Sequence, residues 1–138
     1  RKRTYKYFLS DSTKKLPFLN DFTHSILYAV DVDELNKISN IFVGTHNFSS
    51  FAKIEAAKNP IRTIYKSQWR KKRDYFEYTI VGNAFLRNMV RNLVGVQLAV
   101  VNGKVDIKIV KDAIKNENSK RLNYLAPAKG LVLWNVKY

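Results

Sequence analysis

Arginine and asparagine recur in pairs within an otherwise apolar run, where Arg87-Asn88 and Arg91-Asn92 are separated by Met89-Val90 and followed by Leu93-Val94. On one helix these four would fall at i, i+1, i+4 and i+5, with two guanidinium groups a turn apart and repelling each other. Such a strip is either a solvated face or the seat of an anion that both arginines share. Arg91 has apolar neighbours on both sides, and a partly buried guanidinium needs a counter-charge. No nearby acid is an obvious partner, so another segment must supply one. Tyr5 and Tyr7, two apart in a β-prone run, share a face that Thr4 and Lys6 do not. Paired strand aromatics can simply be core. At a sheet edge, a tyrosine can instead stack on an unpaired RNA base, with Arg1, Lys2, Arg3 and Lys6 attracting phosphates. The Arg70-Lys71-Lys72-Arg73 stretch could do likewise or serve only solubility. His46 near Ser49 and Ser50 could suggest a Ser/His nucleophile, but there is no Gly-x-Ser-x-Gly turn and no obvious orienting acid.

The composition narrows these choices. The chain has 138 residues, 46% hydrophobic and 26% charged, as expected of one globular domain. Lys plus Arg is 25 against 11 acids, a net +14 that favours a polyanionic partner. The abundance of lysine and asparagine is also what AT-rich codon bias produces, so position must decide. Cysteine is absent, which removes disulfides, thiolate nucleophiles and cysteine-held metal centres. His24 and His46 are too far apart in sequence to suggest a histidine metal site, so no metal is expected. The basic start lacks the apolar stretch of a signal peptide. Leu93–Val101 is far shorter than the ~20 residues a membrane span requires. A soluble, cytoplasmic domain without a membrane partner is expected. An opening Arg1-Lys2-Arg3 without methionine suggests a processed product, an excised domain or the remainder of a longer protein.

The elements that must carry these side chains follow from periodicity. Thr4–Leu9 alternates as a strand, Asp11–Lys15 is a polar turn and Pro17 closes a connection. Phe22–Val30 fits either a buried strand or the lead-in to a helix. Asp31 with Glu34 forms a capping box for a helix whose inner face is Leu35, Ile38, Ile41 and Phe42, ending at a left-handed Gly44. Thr45–Phe51 is a loop or short extended piece. Ile61–Trp69 and Tyr75–Val81 are strands joined by the charged tip 70–74, with Phe76, Tyr78 and Ile80 on one face. Ala84–Val101 is the longest expected helix, with Phe85, Met89, Leu93 and Gln97 at every fourth position, closed by Asn102-Gly103. A further helix from Asp106 turns Ile107, Val110 and Ile114 inward and Lys108, Lys111 and Lys115 outward. Leu131–Val136 is expected as a closing strand buried on both faces. The order predicts an α+β fold over residues 1–138 with no internal boundary, a mostly antiparallel sheet with helices packed on one face.

Several separated segments together carry a resemblance. Phe85-Leu86-Arg87-Asn88-Met89-Val90-Arg91-Asn92-Leu93-Val94-Gly95 is similar to the signature helix of the TruA family of bacterial tRNA pseudouridine synthases. Gly44-Thr45-His46-Asn47-Phe48-Ser49-Ser50-Phe51 resembles a second family segment, with Asn47 where an acid is usual. Arg3-Thr4-Tyr5-Lys6-Tyr7, Asn59-Pro60-Ile61-Arg62-Thr63-Ile64 and Ala126-Pro127-Ala128-Lys129-Gly130-Leu131-Val132-Leu133 match three more, in the family's order.

The resemblance implies the C-terminal half of an enzyme built from two related α+β halves, whose sheets join and whose RNA cleft lies between them. It implies that the nucleophilic aspartate sits in a Gly-Arg-Thr-Asp-Ala-Gly-Val-His type motif of the other half. None of this chain's acids, from Asp11 to Glu117, has that setting, so the chain alone is expected to be inactive. It implies that Arg91 pairs with that aspartate and that Tyr5 stacks on the target base and can assist proton transfer. The implied reaction breaks the C1′–N1 bond of uridine and rejoins the base through C5 without a cofactor. The implied substrate is the tRNA anticodon stem-loop, bound by a homodimer. Other readings are a non-catalytic basic RNA-binding module and a structural fragment without activity.

Overall fold

The computed structural model describes residues 1–11, 23–53, 59–115 and 121–138. Pro17, Phe22, Glu117 and most of the polar turn expected at 11–15 lie outside these residues. Alternating residues build the sheet. In β1 (Lys2–Ser10), Tyr7 and Leu9 are fully buried, and in β5 (Phe76–Gly82), Phe76, Tyr78 and Ile80 are buried, as their alternation predicts. These two strands run antiparallel with Tyr7 opposite Tyr78 and Tyr5 opposite Ile80. β4 (Ile61–Lys71) pairs antiparallel with β5, extending into the expected hairpin tip, and β3 (Gly44–Asn47) pairs antiparallel with β4. A register shift between Ile64 and Lys66 changes the parity, so that Ile64, Ser67 and Trp69 all face inward. β2 (His24–Ser25) is a two-residue parallel addition to the end of β1, and Ile26–Val30 forms neither of the elements expected there.

Helices cover the inward face. α1 (Val32–Ser39) starts at Asp31, whose carboxylate accepts from the N–H of Asp33 at 2.8 Å, so the cap bond differs from the expected capping box. The chain then tightens into a 3-10 turn at Asn40–Phe42, which sets buried Phe42 edge-on to Phe51 at 5.6 Å. The helix therefore ends before Gly44, which opens β3 with φ +115°. Asn36 ties α1 to the sheet, accepting from the N–H of Trp69 at 2.7 Å and donating to its carbonyl at 3.0 Å. Trp69 Nε1 donates to buried Gln97 of α2 (Met89–Val101) at 2.8 Å. α3 (Ile107–Lys115) buries Val110 and Ile114 and exposes Lys108, Lys111 and Lys115, as expected, while Ala113 is also buried and Ile107 only half-buried. Among the described residues, no helix is long and apolar enough to cross a membrane. The result is a mixed α+β fold around a mostly antiparallel six-stranded sheet.

Two further expectations are corrected. α2 begins at Met89 rather than Ala84. Asn83 Oδ1 accepts from the N–H groups of Thr63 at 3.0 Å and Ala84 at 2.9 Å, and the Arg87 carbonyl accepts from Lys53 N–H at 3.2 Å. Those tertiary bonds hold 84–88 out of the helix, and Asn88 turns left-handed at φ 62°. The final strand, β6 (Leu131–Lys137), is not buried on both faces. It pairs only with β1 among the described residues, leaving Leu133 52% and Trp134 56% exposed. Lys6 Nζ lies 4.5 Å from the Trp134 ring centroid.

Gly95 and Glu77 give two tests. A Cβ at Gly95 would overlap the carbonyl of Tyr124, where the 121–127 segment crosses α2. Gly95→Ala is expected to lower stability by about 3 kcal/mol or more through overpacking, read as a fall in denaturation midpoint. Glu77 is 7% exposed. Burial alone would raise its pKa, but the hydrogen bond and charge of Lys6, helped by Lys72 at 3.6 Å, bring it below the ordinary value. Its contribution is therefore complete above the unfolded carboxyl's pKa and disappears as pH falls through the folded one. Glu77→Gln is expected to flatten that acid limb of the stability–pH curve.

Candidate active-site cleft

Arg91 sits in the first turns of α2, half-buried, and its placement is decided by an extended segment lying across the helix. The Nε of Arg91 donates to the carbonyl of Ala126 at 2.8 Å, while the N–H of Ala126 donates to the carbonyl of Arg91 at 3.0 Å. At the next residue, fully buried Asn92 accepts from Tyr124 N–H at 2.8 Å and donates to the Leu122 carbonyl. Alternate residues of the extended segment, Leu122, Tyr124 and Ala126, thus present backbone groups to the helix. Gly95 leaves room for this crossing.

The same segment joins Arg91 to the sheet. The carbonyl of Pro127 accepts from the hydroxyl of fully buried Tyr7 at 2.7 Å. Burial raises the Tyr7 pKa well above its ordinary value, and the positive charge of Arg91 opposes part of that rise. Tyr7 therefore acts as a neutral anchor. Tyr5, one strand repeat away, is half-buried and meets the edge of Phe85 at a ring distance of 5.1 Å and 87°. Its hydroxyl has no hydrogen bond among the described residues.

Tyr5 and Arg91 line one cleft of about 320 Å³, with Phe85, Met89 and Leu131 supplying apolar wall and Arg87 at the exposed rim. No carboxylate among the described residues pairs with Arg91. The four-residue polar strip expected on one helix is divided instead. Arg87 and Asn88 lie in the turn, Asn92 points into the core, and Arg91 alone reaches the cleft from the helix. Phe85, placed on the helix by its four-residue spacing, is released by the Asn88 turn to pack on Tyr5. The Gly82-Asn83 break is the signal that could have located this change.

The remaining candidates separate from the cleft. His46 Nε2 donates to the carbonyl of Val43 at 2.8 Å, and its ring stands edge-on to Phe48 at 5.9 Å, so its ring is committed to the loop. Among the described residues, no group of three or more acidic or histidine side chains could hold a metal ion. The cleft can therefore offer an aromatic face, an apolar wall and one held guanidinium fork. This suits a flat, partly polar ring and an approaching anion.

A family profile described as tRNA pseudouridine synthase matches residues 38–138. The chain is 33% identical over 138 residues to a tRNA pseudouridine synthase A 1 of Bacillus cereus, covering 99% of this chain and 56% of that protein. It is 32% identical over 132 residues to a tRNA pseudouridine synthase A of Staphylococcus aureus, covering 95% of this chain and 50% of that protein. The chain thus spans about half the length of these curated relatives. With most of its length matched by the profile, the chain belongs to the tRNA pseudouridine synthase family.

Proposed function

We propose that this chain is the C-terminal half of a tRNA pseudouridine synthase and completes a cleft whose nucleophilic aspartate comes from the remaining polypeptide. The observation carrying this reading is Arg91, a half-buried guanidinium with a backbone anchor and no carboxylate partner among the described residues. With Nε engaged by Ala126, the Nη groups form the side of the fork that a carboxylate can grip. An arginine within hydrogen-bonding reach keeps a carboxylate ionised and oriented. The open edge of β6 offers a place for the other half's sheet to continue.

In this reading, the target uridine leaves its stack and enters the cleft. Tyr5 supplies a face for the uracil, and Phe85 holds the Tyr5 ring edge-on. The aspartate acts as the C1′–N1 bond breaks. The detached base turns, C5 bonds to C1′, the C5 proton leaves and N1 gains a proton, so the product is an isomer and no redox partner is consumed. Tyr5, with its unengaged hydroxyl, is positioned to assist that proton movement. The reading extends to the anticodon stem-loop of tRNA as substrate, a homodimer in the cytoplasm as the working form and an inactive isolated chain. Its rival is a non-catalytic RNA-binding module, favoured by the net charge of +14.

The complete reading frame, expressed and assayed for tritium release from tRNA labelled at uridine C5, decides between them. Tritium release favours the synthase; RNA binding without release favours the module. Arg91→Ala is expected to reduce turnover on the order of 10²-fold or more, as loss of one partner from a buried charge pair does. Its tRNA affinity should remain within a few-fold of the parent's. Tyr5→Phe is expected to retain binding but slow release of the label, whereas Tyr5→Ala should also lose affinity through the missing stacking face. An unchanged rate in Tyr5→Phe confines Tyr5 to stacking.

A further inference from the structure

Arg91 is not the only half-buried arginine without a carboxylate partner. Among the described arginines, Arg3, Arg62 and Arg91 are half-buried and the others are exposed. Arg3 and Arg62 each carry a buried Nε without a hydrogen-bond partner among the described residues. Arg62 is otherwise held by Nη1, which donates to the carbonyls of Asn59 and Ile61. The neighbouring cations Arg1 and Lys2 do find partners, lying 5.1 Å and 4.7 Å from the ring centroids of Tyr138 and Tyr65.

The sheet register brings these two arginines to one end and one face. Arg3 is opposite Gly82, Gly82 is opposite Ile64, and Arg62 lies two residues before Ile64. Strand spacing and rise then put the two Cα atoms roughly 12 Å apart. Gly82 lies between them, and a Cβ there would stand 3.0 Å from both Phe85 Cζ and Ile64 Cδ1. The Phe85 ring that meets Tyr5 therefore rests between the Arg3 and Arg62 positions. On this ladder the acids Asp74 and Glu77 stand toward the opposite, hairpin end.

One aspartate delivered to Arg91 cannot also neutralise two arginines on the strands that flank β5. Leaving such groups unmatched is costly, whereas phosphates along one strand provide a regularly spaced series of anions. We infer that Arg3 and Arg62 grip backbone phosphates on either side of the nucleotide that enters the Tyr5–Arg91 cleft, holding the strand while its base is withdrawn from the stack. This rests on the synthase reading for the identity of the cleft, but requires only that the bound anion be an RNA backbone.

The test uses the protein made from the complete reading frame and a tRNA transcript, with affinity measured across a salt series. Arg3→Gln and Arg62→Gln are each expected to weaken binding about tenfold at moderate salt. Each should reduce the slope of log affinity against log salt by ~0.7 to 0.9, the signature of one lost phosphate contact. The double variant should lose about twice that slope, and the Arg→Lys forms should recover it. Arg70→Gln, on the hairpin side, is the charge-matched control. An equal slope change there would reduce the effect to net charge and overturn the inference.

Unchanged slopes in both Gln variants would also overturn it. So would a drop in RNA-free melting temperature with unaltered RNA affinity, which would assign the arginines to carboxylates of the remaining polypeptide. If Arg62→Gln disturbs the Asn59–Ile61 turn and fails to fold, Arg3→Gln and Arg62→Lys carry the decision. Tritium release by the parent protein separates the two readings. Label release with unchanged slopes leaves the synthase and removes the grip; altered slopes without label release leave the grip and remove the synthase.

Discussion

A reciprocal pair of backbone bonds, between the Arg91 carbonyl and Ala126 N–H and between Arg91 Nε and the Ala126 carbonyl, sets the geometry on which the cleft depends. It fixes a long, flexible cationic side chain at its middle, so the charged fork has little freedom left to lose when an anion arrives. The restraint is shared. Asn92, the next residue, and Gly95, one turn further along α2, dock the same extended segment, and Pro127 passes it on to Tyr7 in the sheet. Helix, extended segment and strand therefore hold one another in register. A pre-positioned guanidinium is worth more to catalysis than a mobile one because its ordering cost has been met during folding.

The aromatic half of the cleft follows a different logic. Tyr5 owes its position to the alternation of β1, but its neighbour Phe85 owes its position to a helix that starts late. Asn83 and Lys53 draw 84–88 into bonds with other parts of the chain, and the left-handed Asn88 then turns the backbone into α2. Non-glycine residues adopt that conformation at a cost. Here it allows Phe85 to meet Tyr5 while Arg91 enters from the helix, so aromatic rings and a guanidinium converge on one cleft from elements with different periodicities.

Much of this was legible in the residues. Period-two alternation located β1 and β5, Ile61–Trp69 also read as a strand, and a clean amphipathic pattern located α3. The apolar setting of Arg91 raised the expectation of a counter-charge from elsewhere, and no carboxylate among the described residues pairs with it. The late start of α2 was not legible, because the bonds that delay it come from residues distant in sequence while the local pattern favours a helix throughout. The anchoring role of Ala126 was hidden for another reason: a backbone carbonyl is the same group at every position and leaves no mark of its own. The exposed state of β6 escaped because an apolar run reads alike whether its cover is already present or must be brought by another stretch of polypeptide.

The left-handed turn at Asn88 also leaves the start of α2 without a side-chain cap, directly beside the cleft. Aligned peptide dipoles place partial positive charge at that terminus. Part of the attraction felt by an incoming carboxylate or phosphate is thus built into the main chain. Replacing side chains can weaken this potential but cannot erase it, so some positive potential remains at the cleft even where Arg91 has been substituted.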